Sequence, residues 1–243
     1  MKEQGILTAS GLVDWKLKSG QLKMPIKPKS VIFCPEPVLR ANSNWFSRRQ
    51  VRGLMGTHVC VNKHSGIYLS SGWGMGASAL VALCEEWRAL GVTHFLHLGF
   101  VGRLTSKLDS SEVIIGHSAL SEEGCSRHYS LGDNNEIKKH TWDQLESLMN
   151  GIDHLSQQFV STDAPFRETP DMKEKWISKK ATVVDMETSG LYAFAHYYNL
   201  KALSVGISAD LLEKDVWTPP EDTRELNQTL FRTSRILISN LAR

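Results

Sequence analysis

Short runs of consecutive apolar residues alternate along this chain with stretches whose apolar positions recur at helical spacing. Val31-Ile32-Phe33 predicts a buried strand, stopped by Pro35-Glu36-Pro37. Gly66-Ile67-Tyr68-Leu69-Ser70 predicts a second, and a glycine cluster at Gly72, Gly74 and Gly76 follows it. From Ala77 to Leu90 the apolar side chains fall on one helical face, and Gly91 ends the segment. Thr93 to Leu98 predicts the next strand, closed by Gly99 and Gly102, and Glu112 to Ala119 another. Ser121 to Asn135 is polar and reads as a loop, and His140 to about Gln158 as a helix. Thr182-Val183-Val184 predicts a short strand, Thr188 to Tyr198 a helix, Ala202 to Ser208 a buried strand, and Pro220 to Leu241 a last helix. Strands alternating with helices predict a layered α/β fold. Residues 1–28 read as an irregular lead-in, because Lys16-Leu17-Lys18 and the Pro25/Pro28 pair interrupt any long periodicity. With no repeat, low-complexity tract or linker, residues 1–243 are expected to form a single domain.

Composition narrows this only modestly. A hydrophobic content of 41% supports a sizeable core, and a formal charge of +2 without a dense Lys/Arg block argues against nucleic-acid binding. Cys34, Cys60, Cys84 and Cys125 lie far apart, without metal-ligand or redox spacing, so buried free thiols and a reducing compartment are expected. His58, His64, His94, His117 and His128 also lack ligand spacing, and no metal is expected. The first residues contain no long apolar run, so neither a signal peptide nor a membrane span is expected. These points together predict a cytoplasmic protein.

Two acidic positions carry the first hint of chemistry. Val183-Val184-Asp185-Met186-Glu187-Thr188 puts Glu187 at the start of a predicted helix, and Ser208-Ala209-Asp210 puts a second carboxylate just past a predicted strand. Breaking a sugar–base N-glycosidic bond builds positive charge on the ribose ring and pushes electrons into the base. A general acid beside a purine ring nitrogen takes up that density, an effect of about 10²–10⁴ in rate. A carboxylate accepting both ribose hydroxyls fixes the sugar and favours the cationic transition state. Asp210 suits the first role and Glu187 the second. The same residues also read as a helix-opening acid and a cap on the next element. Ser71-Gly72-Trp73-Gly74-Met75-Gly76-Ala77-Ser78 adds a strand-to-helix turn that lets backbone approach a ligand, or that serves packing alone. It is neither a Walker sequence nor a dinucleotide fingerprint.

Taken in order, six segments resemble the nucleoside phosphorylase family of hexameric bacterial purine nucleoside phosphorylases and uridine phosphorylases, with nucleosidases as relatives. They are Gln50 to Thr57, Gly72 to Ser78, His97 to Gly102, Val160 to Asp163, Asp185-Met186-Glu187, and Asp210. The resemblance covers about residues 30 to 240 and implies a three-layer α/β/α sandwich around a central mixed β-sheet. It implies that Glu187, beside Met186, binds the ribose hydroxyls, that Met75 lies against the sugar, and that Asp210 protonates N7 of a purine. The pyrimidine enzymes carry a Gln-x-Arg clamp where this chain reads Asp163-Ala164-Pro165-Phe166-Arg167-Glu168, without glutamine. A purine-type base follows, with Phe166 as candidate for stacking on it. Glu122-Glu123-Gly124 and Ser126-Arg127-His128-Tyr129 resemble the family's loop near the base pocket.

For phosphate, the resemblance implies Arg40 after the Pro35-Glu36-Pro37 turn, Gly74, the strand-end position held here by His97, and Arg52, which would reach into a partner subunit. Two positions depart from the family: His97 stands where an arginine is expected, and Phe100 replaces a hydroxyl residue. Arginine supplies a permanent charge and a two-pronged grip, whereas histidine is charged only when protonated. Losing two charge-assisted contacts costs about 3–6 kcal/mol of anion binding. Arg103 either compensates in part or serves the surface. The expectation is phosphorolysis of a purine-type nucleoside to base and ribose 1-phosphate, as in nucleoside salvage. Phosphate is the co-substrate and no cofactor is expected. The alternatives are a phosphate-independent nucleosidase and a non-catalytic nucleoside-binding protein on the same fold. A homo-oligomer is implied, a dimer or a hexamer built as a trimer of dimers, with no nucleic-acid or membrane partner.

Overall fold

The computed structural model describes residues 5–42, 54, 58–62, 65–129, 136–138, 142, 144–213 and 216–243. Its strands are β1 (Ser30–Phe33), β2 (His58–Asn62), β3 (Ile67–Ser71), β4 (His94–Arg103), β5 (Val113–Glu122), β6 (Glu136–Lys138), β7 (Leu155–Thr162), β8 (Ala181–Asp185), β9 (Lys201–Glu213) and β10 (Val216–Thr218). Its helices are α1 (Ala9–Lys18), α2 (Glu36–Ala41), α3 (Ala77–Ala89), α4 (Leu145–Met149), α5 (Pro170–Ser178), α6 (Thr188–Tyr198) and α7 (Thr223–Leu241).

These ten strands join one mixed sheet. β3, β1, β4 and β9 run parallel, and β2 closes the edge antiparallel to β3. β4 also pairs with β8, β8 with β7, β7 with β5, and β5 with β9, so five strands close a circuit. Alternation along the strands divides the core. Val31, Phe33, Tyr68 and Phe95 face a layer with α1, α3 and α6, while Ile32, Leu69, Leu96, Leu203 and Val205 face a layer with α2, α4 and α7. Because both faces are covered, the central strands read as continuous apolar runs. Trp176 of α5 closes a third cluster with Leu104, Leu120 and Val160. Cys34 and Cys84 are buried and outside any disulfide, and Cys125, also outside a disulfide, is only half-buried. None of the described helices is long and apolar enough to cross a membrane.

Two expectations about the elements are corrected. The lead-in holds a ten-residue helix, α1, capped by the Thr8 hydroxyl accepting from Gly11 N at 3.1 Å and tied to α3 by Lys16 Nζ on Glu86 at 2.6 Å. Most of the span expected to be one helix, His140 to Gln158, is not helical. Among its described residues only Leu145–Met149 forms a helix, Gly151 turns the chain at φ 81°, and β7 begins at Leu155. Residues 139–141 and 143 lie outside the described part of that region.

Two close approaches set the position of α6. A Cβ added at Gly190 on the first turn of α6 would lie 2.7 Å from the Ala77 Cβ on the first turn of α3. The starts of the two helices therefore touch. Tyr192 Oη donates to Gly116 O at 2.7 Å and fixes α6 against β5.

Candidate active site

The glycine-rich turn bends through positive φ at Gly72, Gly74 and Gly76 before α3 begins, which a side chain at those positions would strain. Because α3 and α6 touch at their starts, Gly76 N donates to Glu187 Oε1 at 2.7 Å. Met186 N donates to Glu187 Oε2 at 3.2 Å. Glu187 is thus held by two backbone donors at the entry to α6, only 9% exposed. Burial pushes its carboxyl above the usual range, and those two N–H groups oppose the shift.

Asp185, at the end of β8, accepts from Ser161 Oγ at 2.6 Å, from Thr188 N at 3.1 Å and from the Thr188 hydroxyl. Ser161 in turn accepts from Ser189 N at 2.9 Å. Burial raises the Asp185 carboxyl, with the Glu187 charge adding to it and His97, Ser161 and Thr188 opposing. His97, on β4, is 7% exposed, and burial lowers its imidazole against the opposing pull of Asp185. Donor atoms of His97, Asp185 and Glu187 all lie within 4.8 Å of one another.

Asp185 and Met186 also line a cleft of about 800 Å³ together with Phe100, Phe166, Glu168 and Asp210. Asp210, on β9, accepts from Trp217 Nε1 of β10 at 2.7 Å. Burial, then the charge of Asp210, pushes the Glu168 carboxyl up to about 7. The structure thus brings Asp210, Met186 and Phe166 into one cavity, and joins Glu187 and His97 to it through Asp185. Phe166 is 99% exposed on a short turn, Pro165–Arg167.

The other expected residues are placed differently. Met75 is exposed on the glycine-rich turn, and Gly74 lies within that turn. The Arg40 side chain is 77% exposed and pairs with Glu36 at 3.3 Å, while Glu36 accepts from Ser71 Oγ at 2.6 Å. Arg103 donates to Leu108 O at 2.8 Å. Trp73 packs edge-on against Phe33 and His97, each at a ring separation of 6.1 Å. Arg52, with most of its segment, lies outside the described residues. Sequence reasoning missed Asp185, Glu168 and Trp217. Only Asp185 had a local signal, an acid three residues before Thr188 at a helix start.

Residues 34–241 match the sequence profile of the Phosphorylase superfamily. The chain belongs to that superfamily. A DeoD-type purine nucleoside phosphorylase of Bacillus thuringiensis (strain Al Hakam) is 26% identical over 189 residues, 74% of this chain and 77% of that protein. The crystal structure of uridine phosphorylase from Vibrio fischeri ES114 superposes with a TM-score of 0.73 at 19% identity, covering 89% of this chain and 92% of that one. A mutant futalosine hydrolase of Helicobacter pylori strain 26695 superposes with a TM-score of 0.67 at 14% identity, covering 88% and 98%. The mixed sheet with helices on both faces is the nucleoside phosphorylase fold of these neighbours. A phosphorylase and a hydrolase share it, so the fold leaves the nucleophile to the site residues.

Proposed function

We propose that this superfamily member cleaves the N-glycosidic bond of a purine-type nucleoside. The supporting observation is one cleft lined by Asp210, Asp185 and Met186, the last two next in the chain to Glu187. In this reading Glu187, already fixed by Gly76 and Met186, accepts the ribose hydroxyls, and the buried negative charge of Asp185 and Glu187 favours the cationic sugar of the transition state. Asp210 delivers the proton to the departing base. Glu168, with its carboxyl raised to about 7, keeps a proton available beside it at neutral pH. Phe166, exposed at the rim, stacks on the base.

Phosphate as nucleophile would follow the family reaction, with Arg52 supplied by a second copy of the chain. Among the described residues a specific set of observations favours water. Arg40 faces solvent and pairs with Glu36, Arg103 is committed to a backbone carbonyl, and His97, within β4 rather than at its end, is an imidazole whose burial disfavours its charge. Among the described residues, a dianion there would meet two carboxylates and no fixed cationic side chain. The test is to incubate the protein with inosine, adenosine and guanosine, with and without phosphate, and to follow free base and the sugar product. Base and free ribose without phosphate support hydrolysis. Base and ribose 1-phosphate only with phosphate support phosphorolysis. No base from any substrate overturns the catalytic reading and leaves a nucleoside-binding protein.

A further inference from the structure

His97, Asp185 and Glu187 make a constellation that the proposed cleavage does not fully use. They come from three places, the middle of β4, the end of β8 and the entry to α6, and each is less than a tenth exposed. One nitrogen and two carboxylate oxygens lie within 4.8 Å of one another. A cation with ligand distances of about 2.0–2.2 Å would draw such donors together by a modest side-chain movement.

The surroundings resemble the outer shell of a metal centre. Each carboxylate is held by neighbouring donors: Asp185 by Ser161 Oγ at 2.6 Å and Thr188 N at 3.1 Å, Glu187 by Gly76 N at 2.7 Å and Met186 N at 3.2 Å. Carboxylate oxygens accept more than one partner, so these bonds orient the ligands without exhausting them. Charge points the same way. Two buried carboxylates lie together, and none of the ion pairs among the described residues supplies them a lysine or arginine. A neutral imidazole supplies the nitrogen lone pair that ligates a metal ion.

We propose that His97, Asp185 and Glu187 bind a divalent transition-metal cation of the Zn²⁺ or Mn²⁺ class. One imidazole with two carboxylates suits those ions better than Mg²⁺ or Ca²⁺, which favour all-oxygen shells. The sequence hides the site, because His97 has no ligand-spaced neighbour along the chain and meets the two acids only once the chain is folded.

The experiment uses the full chain, dialysed against EDTA and then titrated with MnCl2 or ZnCl2 without nucleoside, with affinity and stoichiometry read by calorimetry and melting temperature alongside. Cobalt(II) absorption serves as a spectroscopic reporter of the ligand set. The expected result is one ion per chain and a raised melting temperature. His97→Ala and Glu187→Gln should each weaken binding about a hundredfold or more, since loss of an outer-shell partner alone weakens metal sites about 10- to 100-fold. His154→Ala, at an exposed histidine, should leave binding unchanged. Glu187→Gln preserves the side-chain shape, so a folding failure of His97→Ala does not remove the test; circular dichroism checks both. Absence of stoichiometric binding in the parent protein overturns the proposal, as does binding unaffected by either ligand substitution. Because no substrate is present, this outcome is separate from the fate of the cleavage reading.

Discussion

Gly190→Ala tests how the fold holds Glu187. The added methyl would lie 2.7 Å from the Ala77 Cβ and 3.3 Å from Val81 Cγ2. Ordinary carbon contacts are about 3.5–4.0 Å, so the starts of α3 and α6 must separate by about 1 Å. The Gly76 N to Glu187 Oε1 bond, 2.7 Å in the native chain, then stretches beyond useful hydrogen-bonding range. Overpacking costs about 1–3 kcal/mol, and losing a hydrogen bond to a charged group about 1.5–3 kcal/mol. The gain in helix propensity from glycine to alanine returns about 1 kcal/mol. A net loss of about 1.5–5 kcal/mol should appear in urea unfolding, together with weaker binding of any ribose-containing ligand. Unfolding free energy equal to or above that of the parent, with ligand binding intact, would refute the reasoning, because propensity alone would then have decided the outcome.

Other substitutions read other parts of the site. Asp210→Asn should lower kcat for base release by about 10²–10⁴-fold with little change in nucleoside affinity, and equal losses in both would remove the acid role. Phe166→Ala should leave stability within about 0.5 kcal/mol, since the ring is exposed, yet weaken purine binding by about 1–3 kcal/mol; unchanged binding would exclude stacking. Glu168 titrates at about 7 in the folded chain, against an ordinary value of 4.5. Its raised value contributes stability that is complete below 4.5 and lost as pH rises through about 7. Urea melts from pH 4 to 8 should therefore fall less steeply in Glu168→Gln than in the parent, and identical slopes would contradict the half-buried, acid-facing environment.

Much of the fold was legible where both faces of a strand are buried. Val31-Ile32-Phe33, Thr93 to Leu98 and Ala202 to Ser208 read as strands because helices cover each side of the sheet. α7 was legible from an apolar stripe at Leu226, Leu230 and Leu237. α1 was not, since Val13 is its only buried side chain and its anchor is the Lys16–Glu86 pair, which no local pattern reveals. β7 was hidden because its first residues, Leu155 and Ser156, are exposed, and its apolar pair Phe159-Val160 serves two different clusters. At the site, the residue types Glu187 and Asp210 were legible. The cleft that places Asp210 with Asp185 and Met186 was not, because its lining comes from segments far apart in the chain. Glu168 and Trp217 acquire roles only through contact with Asp210, and a single sequence does not encode such a contact locally.

The central claim is spatial: one nucleoside spans from Glu187 to Asp210. A crystal structure of the protein with a non-cleavable purine nucleoside analogue measures this directly. The account predicts ribose hydroxyls within hydrogen-bonding distance of the Glu187 carboxylate and a purine ring nitrogen beside Asp210. An analogue bound elsewhere, or bound in the cleft with its sugar remote from Glu187, would contradict it.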